Sequence, residues 1–208
     1  MKEVIEGVRA LCAEGAASSG EAAEGYRTFL SAVEWSAKLA EPTGFPPPPA
    51  TIPHFLAAAC RASSAPGTAA RQLADSVAQR GPELCWNEMY QQYDDEPDMA
   101  AFRRGYAYTS LIGPGAPLES DRVKAGLTLQ SPDSYYPAHA HKSIELYAVV
   151  GGTGEWRRGI DPWTTRPPGD FIFHPSGVRH AMQTSAEPLL ALYTWISDLD
   201  SHVVVIRG

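Results

Sequence analysis

The chain has 208 residues, 44% of them hydrophobic, and a formal net charge of −7 at pH 7. This length suffices for one sizeable domain with an extension. The acidic balance argues against a nucleic-acid partner, and no stretch reaches the ~18 apolar residues of a membrane span. Glu3, Glu6 and Arg9 interrupt the only apolar region near the amino terminus, which does not fit a secretory signal. We therefore expect a cytoplasmic protein that has no nucleic-acid or membrane partner.

The three cysteines, Cys12, Cys60 and Cys85, are widely spaced and form no CxxC pair. A sparse, odd set of this kind predicts reduced thiols that pack as small apolar residues, not a disulfide framework. None of them lies close in sequence to the histidines of residues 139–180, so we expect no chemistry from them.

Residues 1–99 are rich in Ala and Glu and carry apolar residues at helical spacing. Ser18 and Glu21 match a capping box that would open a helix, and Pro42 would end it. The apolar face of this helix has the spacing i, i+3, i+4, i+7 and i+11: Tyr26, Phe29, Leu30, Val33 and Ala37. The prolines of residues 46–49 then predict a stiff, extended connector.

Two further helices are predicted before the chain changes character. They cover residues 53–61 and 68–79, and Gly81 followed by Pro82 stops the second one. Residues 84–90 predict a short helix or turn, and the acidic residues 94–98 predict a surface loop. No internal repeat is visible, so we expect one helical N-terminal region over residues 1–99.

From about residue 100 onward, short runs of β-branched and aromatic residues alternate with glycine and proline. The predicted strands cover residues 106–112, 123–130, 144–150, 154–158, 170–174 and 189–196. Several short strands at this spacing are typical of a sandwich or barrel. We therefore predict a mainly β protein with an α extension, in which a β-barrel over residues 100–208 packs with the helical N-terminal region.

Four residues of the β half form a ligand set for a divalent transition metal: His139, His141, Glu145 and His180. Three neutral imidazole nitrogens and one carboxylate oxygen suit Zn, Fe, Mn or Ni, and the residue types leave the identity open. A lone histidine on a strand is more often a hydrogen-bonded structural residue, and we expect that role for His54, His174 and His202. The clustering of the other four predicts one metal ion.

The spacing around these ligands resembles the two sequence motifs of the cupin superfamily. The first motif reads H-x-H-x3-E-x6-G over residues 139–152, and the second reads G-x5-P-x-G-x2-H over residues 169–180. Asp133 and Thr184 depart from positions that usually hold Gly and Asn, but neither is a ligand. The resemblance implies a cupin β-barrel (a double-stranded β-helix) with the metal site inside the segment 100–208.

Strand alternation places a tyrosine next to this site. Side chains at i and i+2 share a face of a strand, so Glu145, Tyr147 and Val149 would face the metal while the residues between them pack the other way. A nearby cation favours the phenolate form and lowers the pKa of a tyrosine. Tyr147 is therefore a candidate general base, and a core tyrosine with its hydroxyl on a carbonyl is the alternative.

Further aromatic residues converge on the same region. Tyr135 and Tyr136 precede the first ligand, and Tyr193 and Trp195 share a face of the last long strand. Aromatic ring faces attract a cationic onium group. Tyr135, Tyr193 and Trp195 are therefore candidate substrate-binding residues, and packing alone is the alternative for each of them.

The chain also resembles the cupin-type dimethylsulfoniopropionate (DMSP) lyases of the DddQ and DddL groups. The resemblance rests on the pattern Y-x2-H-x-H-x3-E-x-Y over residues 136–147, on His180 and Trp195 downstream, and on a helical region of similar length before the barrel. It implies that the four ligands hold the metal, that Tyr147 is the base, that Tyr136 is a second functional tyrosine and that Trp195 lines the pocket. It also implies a bacterial carbon–sulfur lyase that converts DMSP, a small-molecule substrate, to dimethyl sulfide and acrylate by β-elimination.

Other functions stay open at the level of sequence. A cupin Fe(II) dioxygenase also uses three histidines and one glutamate, but it needs O2. A non-catalytic cupin binding or sensor protein is a second alternative, which the lack of a helix-turn-helix pattern or basic patch weakens. A sugar isomerase is disfavoured because no phosphate-reading Lys or Arg is evident around the motif. A homodimer also stays open, since the sequence leaves the oligomeric state undecided.

Overall fold

The computed structural model describes residues 1–40, 47–90, 93 and 96–207. Within these ranges the amino-terminal half is a layer of helices. Their bounds are α1 Lys2–Ala17, α2 Ala22–Ala32, α3 Thr51–Arg61, α4 Ala69–Arg80 and α5 Pro97–Arg104. No helix in this part of the chain is both long and apolar enough to span a membrane.

The remainder of the described chain forms two antiparallel sheets. The strands are β1 Trp86–Asn87, β2 Tyr106–Ile112, β3 Lys124–Gln130, β4 Tyr135–Ala140, β5 Glu145–Gly151, β6 Gly154–Arg158, β7 Thr164–Arg166, β8 Phe171–His174, β9 His180–Thr184, β10 Leu189–Trp195 and β11 Val204–Val205. One sheet has the order β1-β2-β3-β10-β5-β8, and the other has the order β11-β4-β9-β6-β7. The sequence predicts six of these strands and misses β1, β4, β7, β9 and β11.

Two apolar clusters show which face of the six-stranded sheet meets which layer. Leu146, Ala148 and Val150 of β5 pack outward with residues of α1, α3 and α4, while Tyr147 and Val149 pack inward between the sheets. The predicted alternation along β5 is therefore confirmed. Full burial of one such aliphatic side chain stabilises the fold by about 1.5–3 kcal/mol. The helices cover the outside of the barrel, which leaves its interior for a site.

The helix predicted from Ser18 differs from the structure at both ends. Ser18 closes α1, because its Oγ donates to the carbonyl of Gly15 at 2.7 Å, so the capping-box prediction is wrong. The next helix, α2, ends before Val33, which takes an extended conformation. Pro42 and Pro46, predicted to end this helix and to begin a connector, lie outside the described residues.

The other helices agree with the sequence except in the segment before the barrel. α3 and α4 lie within two residues of their predicted bounds. Residues 84–90 contain β1 where a helix or turn is predicted, because the buried Trp86 lies in strand pairing with β2 and donates its Nε1–H to the Gly81 carbonyl at 2.6 Å. α5 begins at Pro97, inside the predicted acidic loop, of which residues 94 and 95 lie outside the described ranges.

The architecture confirms the predicted fold class, a mainly β cupin-type barrel with a helical N-terminal extension. The predicted division between residues 99 and 100 falls inside α5, and β1 precedes it. As a domain boundary, that division stays a prediction.

Candidate metal centre and active site

Three strands bring the four predicted metal ligands together inside the barrel. His139 lies near the end of β4, His141 follows that strand, Glu145 opens β5 and His180 opens β9. All four residues are buried, and one potential ligand atom from each lies within 4.8 Å of the others. His139 and His180 face each other directly across the β4–β9 pair. Antiparallel partners project to the same side of a sheet, so the register alone brings these two imidazoles together.

Backbone carbonyls hold each of the three imidazoles in one tautomer. Nδ1 of His139 lies 2.8 Å from the Pro137 carbonyl, and Nδ1 of His180 lies 3.0 Å from the Val178 carbonyl. His141 makes the equivalent contact with the Ser143 carbonyl at 3.0 Å. A carbonyl oxygen can only accept, so Nδ1 carries the proton in all three rings. When a ring is neutral, its Nε2 then has a lone pair, which is the form that ligates a metal.

Glu145 lies at the centre of the cluster. Its Oε2 lies 3.1 Å from Nε2 of His141 and 3.2 Å from Nε2 of His180. Its Oε1 accepts a hydrogen bond from Nε1 of Trp195 at 2.8 Å. Burial alone would raise the pKa of Glu145, but the hydrogen bond with His141 and the close approach of His180 hold it well below its usual range. The carboxylate is therefore ionised and oriented.

This donor set fits a divalent metal ion. Nε2 of His180 is buried and has no partner with hydrogen-bond geometry among the described residues, although it lies close to Glu145. Burial, followed by the neighbouring His180, holds the pKa of His139 well below its ordinary value, so its ring is neutral. Burial disfavours the protonated form of His141, but the hydrogen bond to Glu145 favours that form more strongly and raises the pKa of His141. A bound cation would give all of these lone pairs a common partner.

Tyr147 lies beside this cluster, as strand alternation predicts. It is 3% exposed, and it faces Tyr193 across the β5–β10 pair. Burial first, and then the negative charge of Glu145, raise the pKa of Tyr147 well above that of a free tyrosine. Its hydroxyl is thus a weak acid whose conjugate base would be strong.

Tyr136 lies under the metal cluster and is held there by a residue that the sequence does not reveal. Its ring stacks on the imidazole of His139, with centroids 4.2 Å apart. Its hydroxyl lies 2.6 Å from the hydroxyl of Tyr90, and both are buried. Tyr90 adopts a left-handed backbone conformation with φ of 66°, which is costly for a bulky residue. No sequence signal links Tyr90 to Tyr136, because the two are 46 positions apart and Tyr90 lies before the segment predicted to form the barrel.

The barrel contains a cavity of about 320 Å³ beside the metal ligands. We call it the active-site cavity; its walls include Tyr136, Tyr147, Tyr193 and Trp195 together with His139, His141 and Glu145. Lys124 and Met89, which the sequence does not single out, line it as well. Nζ of Lys124 lies 5.5 Å from the ring centroid of Trp195 and donates to the Leu199 carbonyl.

Among the predicted substrate-binding residues, Tyr135 is the one that the structure does not bring to this cavity. It is 48% exposed, and its ring packs edge-on against Trp163 at 6.3 Å. The reason is strand alternation, because Tyr135 directly precedes Tyr136 on β4 and the two point to opposite faces. The placement of Tyr135 in the substrate site therefore needs correction.

His174 differs from its predicted role. It is buried, and neither ring nitrogen has a hydrogen-bond partner among the described residues. Its ring stacks on His180 with centroids 4.2 Å apart and meets Tyr147 edge-on at 6.0 Å. It reaches the centre because β8 pairs His174 with Glu145. His54, by contrast, bonds to the Ala50 carbonyl at 2.6 Å, as expected of a structural histidine.

Comparison with known proteins places the chain among DMSP lyases. A sequence model of the DMSP lyase family matches residues 46–191. The DMSP lyase DddQ of Ruegeria pomeroyi is 33% identical over 138 residues, which are 66% of this chain and 67% of that protein. The putative DMSP lyase DddL of Cereibacter sphaeroides is 29% identical over 128 residues, which are 61% of this chain and 52% of the relative.

Solved structures share the fold over most of the chain. A chain from the crystal structures of the DMSP lyases RdDddP and RnDddQII matches with a TM-score of 0.74 and 22% identity, covering 99% of this chain and 96% of that one. The crystal structure of DddQ from Ruegeria pomeroyi matches with a TM-score of 0.61 and 29% identity, covering 88% and 92%. The buried His/Glu cluster, the barrel and the sequence match agree, and the chain belongs to the DMSP lyase family of carbon–sulfur lyases.

Proposed function

We propose that this protein cleaves DMSP to dimethyl sulfide and acrylate by β-elimination, with Tyr147 as the base. The observation that carries the proposal is the arrangement on β5, where Glu145 and Tyr147 share one face and line the active-site cavity together with His139 and His141. Family membership supports the choice of substrate.

The active-site cavity suits a small zwitterion of this kind. DMSP carries a dimethylsulfonium at one end and a carboxylate at the other. Ring faces of Tyr136, Tyr193 and Trp195 line the cavity, and such faces attract an onium group by about 0.5–2 kcal/mol. The ammonium of Lys124 lines the same cavity. It offers a positive charge for the carboxylate end of the substrate.

His139, His141, Glu145 and His180 would hold one divalent transition metal ion, and Zn, Fe, Mn and Ni all suit the ligand set. When bound, such an ion supplies Lewis acidity that makes the α-proton of the substrate easier to remove, and positive charge that favours the phenolate of Tyr147. The charge is needed because burial and Glu145 disfavour that phenolate.

Tyr147 then takes the α-proton through its phenolate oxygen. The electron pair of the broken C–H bond forms the double bond of acrylate. The electron pair of the C–S bond leaves with sulfur, so dimethyl sulfide departs as a neutral molecule. No electron acceptor and no organic cofactor enter this balance, in contrast to the dioxygenase alternative. The ring of Tyr136 stacks on His139, and its hydroxyl forms a hydrogen bond with Tyr90.

The substitution Tyr147→Phe tests the base directly. It removes one hydroxyl from a buried ring, so we expect kcat to fall at least ~100-fold, as is common on loss of a general base. Metal content and melting temperature should stay at wild-type values. Tyr135→Phe is the matched control, since it removes the same group from a ring outside the cavity. A Tyr147→Phe enzyme that keeps most of its kcat would transfer the role to another group, with Tyr136 the next candidate.

A homodimer and a cytoplasmic location stay predictions from the sequence. The non-catalytic alternative fails if the purified protein turns over DMSP. The dioxygenase alternative would require consumption of O2, so activity under anaerobic conditions separates it from the lyase.

A further inference from the structure

A second cavity adjoins the metal centre through His174, which lines it and stacks on His180. Its volume is about 350 Å³, and its walls come from β6, β7, β8 and the segment that opens α2. We call it the rear cavity. β7 and β8 are the outer strands of the two sheets, so the rear cavity lies where the barrel is open.

Buried polar groups without partners line the rear cavity. Nε1 of Trp156, Nε of Arg166 and both ring nitrogens of His174 are buried, and none has a hydrogen-bond partner among the described residues. Trp156 is 3% exposed and His174 is 1% exposed. Buried polar groups are normally satisfied, and Trp156, Arg166 and one nitrogen of His174 are donors, so the cavity indicates a ligand that supplies acceptors.

The walls of the rear cavity hold two arginines and two carboxylates, Arg158, Arg166, Glu21 and Asp161, and the group that points to an acceptor ligand is Nε of Arg166. Nε of Arg166 remains available because its contact with Asp170, at 3.4 Å, uses Nη1. Arg158 also lines the cavity, and its charge is shared with Glu21 at 2.7 Å and Asp161 at 3.8 Å. No second cluster of possible metal ligands lies here within the described ranges. The donors without a partner therefore belong to the guanidinium of Arg166 and the indole of Trp156.

We propose that the rear cavity is a binding site for a small carboxylate, whose oxygens accept from Nε of Arg166 and Nε1 of Trp156. A carboxylate has two acceptor oxygens for these two N–H groups, and its negative charge strengthens the hydrogen bond with a guanidinium. His174 forms the wall towards the metal centre, since its ring stacks on His180 and meets Tyr147 edge-on. The site thus adjoins the catalytic cluster through His174. Acrylate, the product of the proposed reaction, belongs to this class, and only that choice of natural ligand rests on the proposed function.

Titration of the metal-loaded protein with trifluoroacetate, followed by 19F NMR, tests the inference without turnover. Arg166→Met and Trp156→Phe should each raise the Kd of the probe at least fivefold. Arg157→Met is the matched control, because Arg157 is the exposed neighbour on β6 and lies over Trp163 outside the rear cavity. Its Kd should equal that of wild type. Metal content and melting temperature are measured for every variant, and Trp156→Phe carries the test if Arg166→Met is unstable.

A Kd that is the same in wild type, Arg166→Met and Trp156→Phe would overturn the inference, because the probe would then bind at the metal or elsewhere on the surface. No binding to wild type would overturn it as well and would leave the rear cavity to water. Since the readout is binding, a protein that lacks DMSP lyase activity but binds the probe in this pattern would contradict the proposed function alone.

Discussion

Trp195 shows how a single residue can have the predicted position and a further role. The sequence places it in the substrate pocket on the basis of its strand and its ring, and it does line the active-site cavity. It also donates to Glu145 and stacks on His141, with centroids 4.7 Å apart. That link is invisible in the sequence, because the two residues lie 50 positions apart and meet only through the β5–β10 register.

We predict that Trp195→Leu weakens metal binding. The substitution keeps apolar bulk but removes the N–H that orients the Glu145 carboxylate, and loss of such a partner commonly costs about 10–100-fold in metal affinity. The affinity for Zn2+ is measured by competition with a chromophoric chelator. Trp163→Leu, a tryptophan outside the active-site cavity, should leave it unchanged. A raised KM for DMSP with wild-type metal affinity would show instead that Trp195 acts on substrate alone.

The ligands were predictable from sequence, whereas Tyr90 and His174 were not. The four ligands have the sequence spacing of a known motif. That spacing is the one at which β4, β5 and β9 bring the ligands together inside the barrel: His139, His141, Glu145 and His180. The importance of Tyr90 depends on one hydroxyl contact and one unusual backbone angle. The position of His174 depends on the pairing of β8 with β5. Neither long-range pairing leaves a local pattern.

At the level of elements, two of the three strands that carry metal ligands, β4 and β9, were the hardest to predict. β5 reads as a strand because its residues are aliphatic and alternate between the two cores. β4 and β9 were missed because proline, alanine and polar ligands replace the β-branched residues that usually signal a strand. Tertiary pairing stabilises them despite weak local preference. For the same reason Trp86 lies in β1 and not in a helix.

Gly126 on β3 gives an element-scale prediction. A Cβ at this position would lie 1.8 Å from the carbonyl oxygen of Thr109 on β2 and 2.8 Å from the hydroxyl of Tyr193. Backbone cannot move aside as a flexible side chain can, so Gly126→Ala must push β2 away. We expect it to lower the free energy of unfolding by about 1–3 kcal/mol, as overpacking does.

Urea unfolding of the metal-loaded protein measures this loss. Gly20→Ala is the control, since a Cβ there meets no atom within 4 Å. Equal stability of Gly126→Ala and wild type would mean that β2 and β3 are less tightly paired than the structure shows.

At the level of the whole molecule, the buried histidines make the metal-free protein sensitive to acid. Burial, followed by the neighbouring His180, holds the pKa of both His139 and His174 well below the ordinary value. The unfolded chain therefore binds protons at these two positions as the pH falls through about 6.5, while the folded chain does not. Stability must fall over that range. His141 opposes the trend, because its raised pKa contributes stability at low pH.

We predict that the chelator-treated protein loses stability as the pH falls from 7 to 5, with each buried neutral histidine contributing at most about 1.4 kcal/mol per pH unit. Urea midpoints at several pH values measure the slope. His174→Leu should reduce it, and His54→Gln, at an exposed position, should not. A slope unchanged by His174→Leu would show that this ring is protonated in the folded state.

The most direct test of the proposed lyase activity is to measure dimethyl sulfide in the gas above a solution of the purified protein. Metal-loaded enzyme incubated anaerobically with DMSP should release dimethyl sulfide into the headspace and leave an equal amount of acrylate in solution. His180→Ala, which removes one ligand of the buried cluster, should lose both the metal and the release. Metal-loaded wild-type protein that produces no dimethyl sulfide, or a His180→Ala variant that produces as much as wild type, would contradict the account.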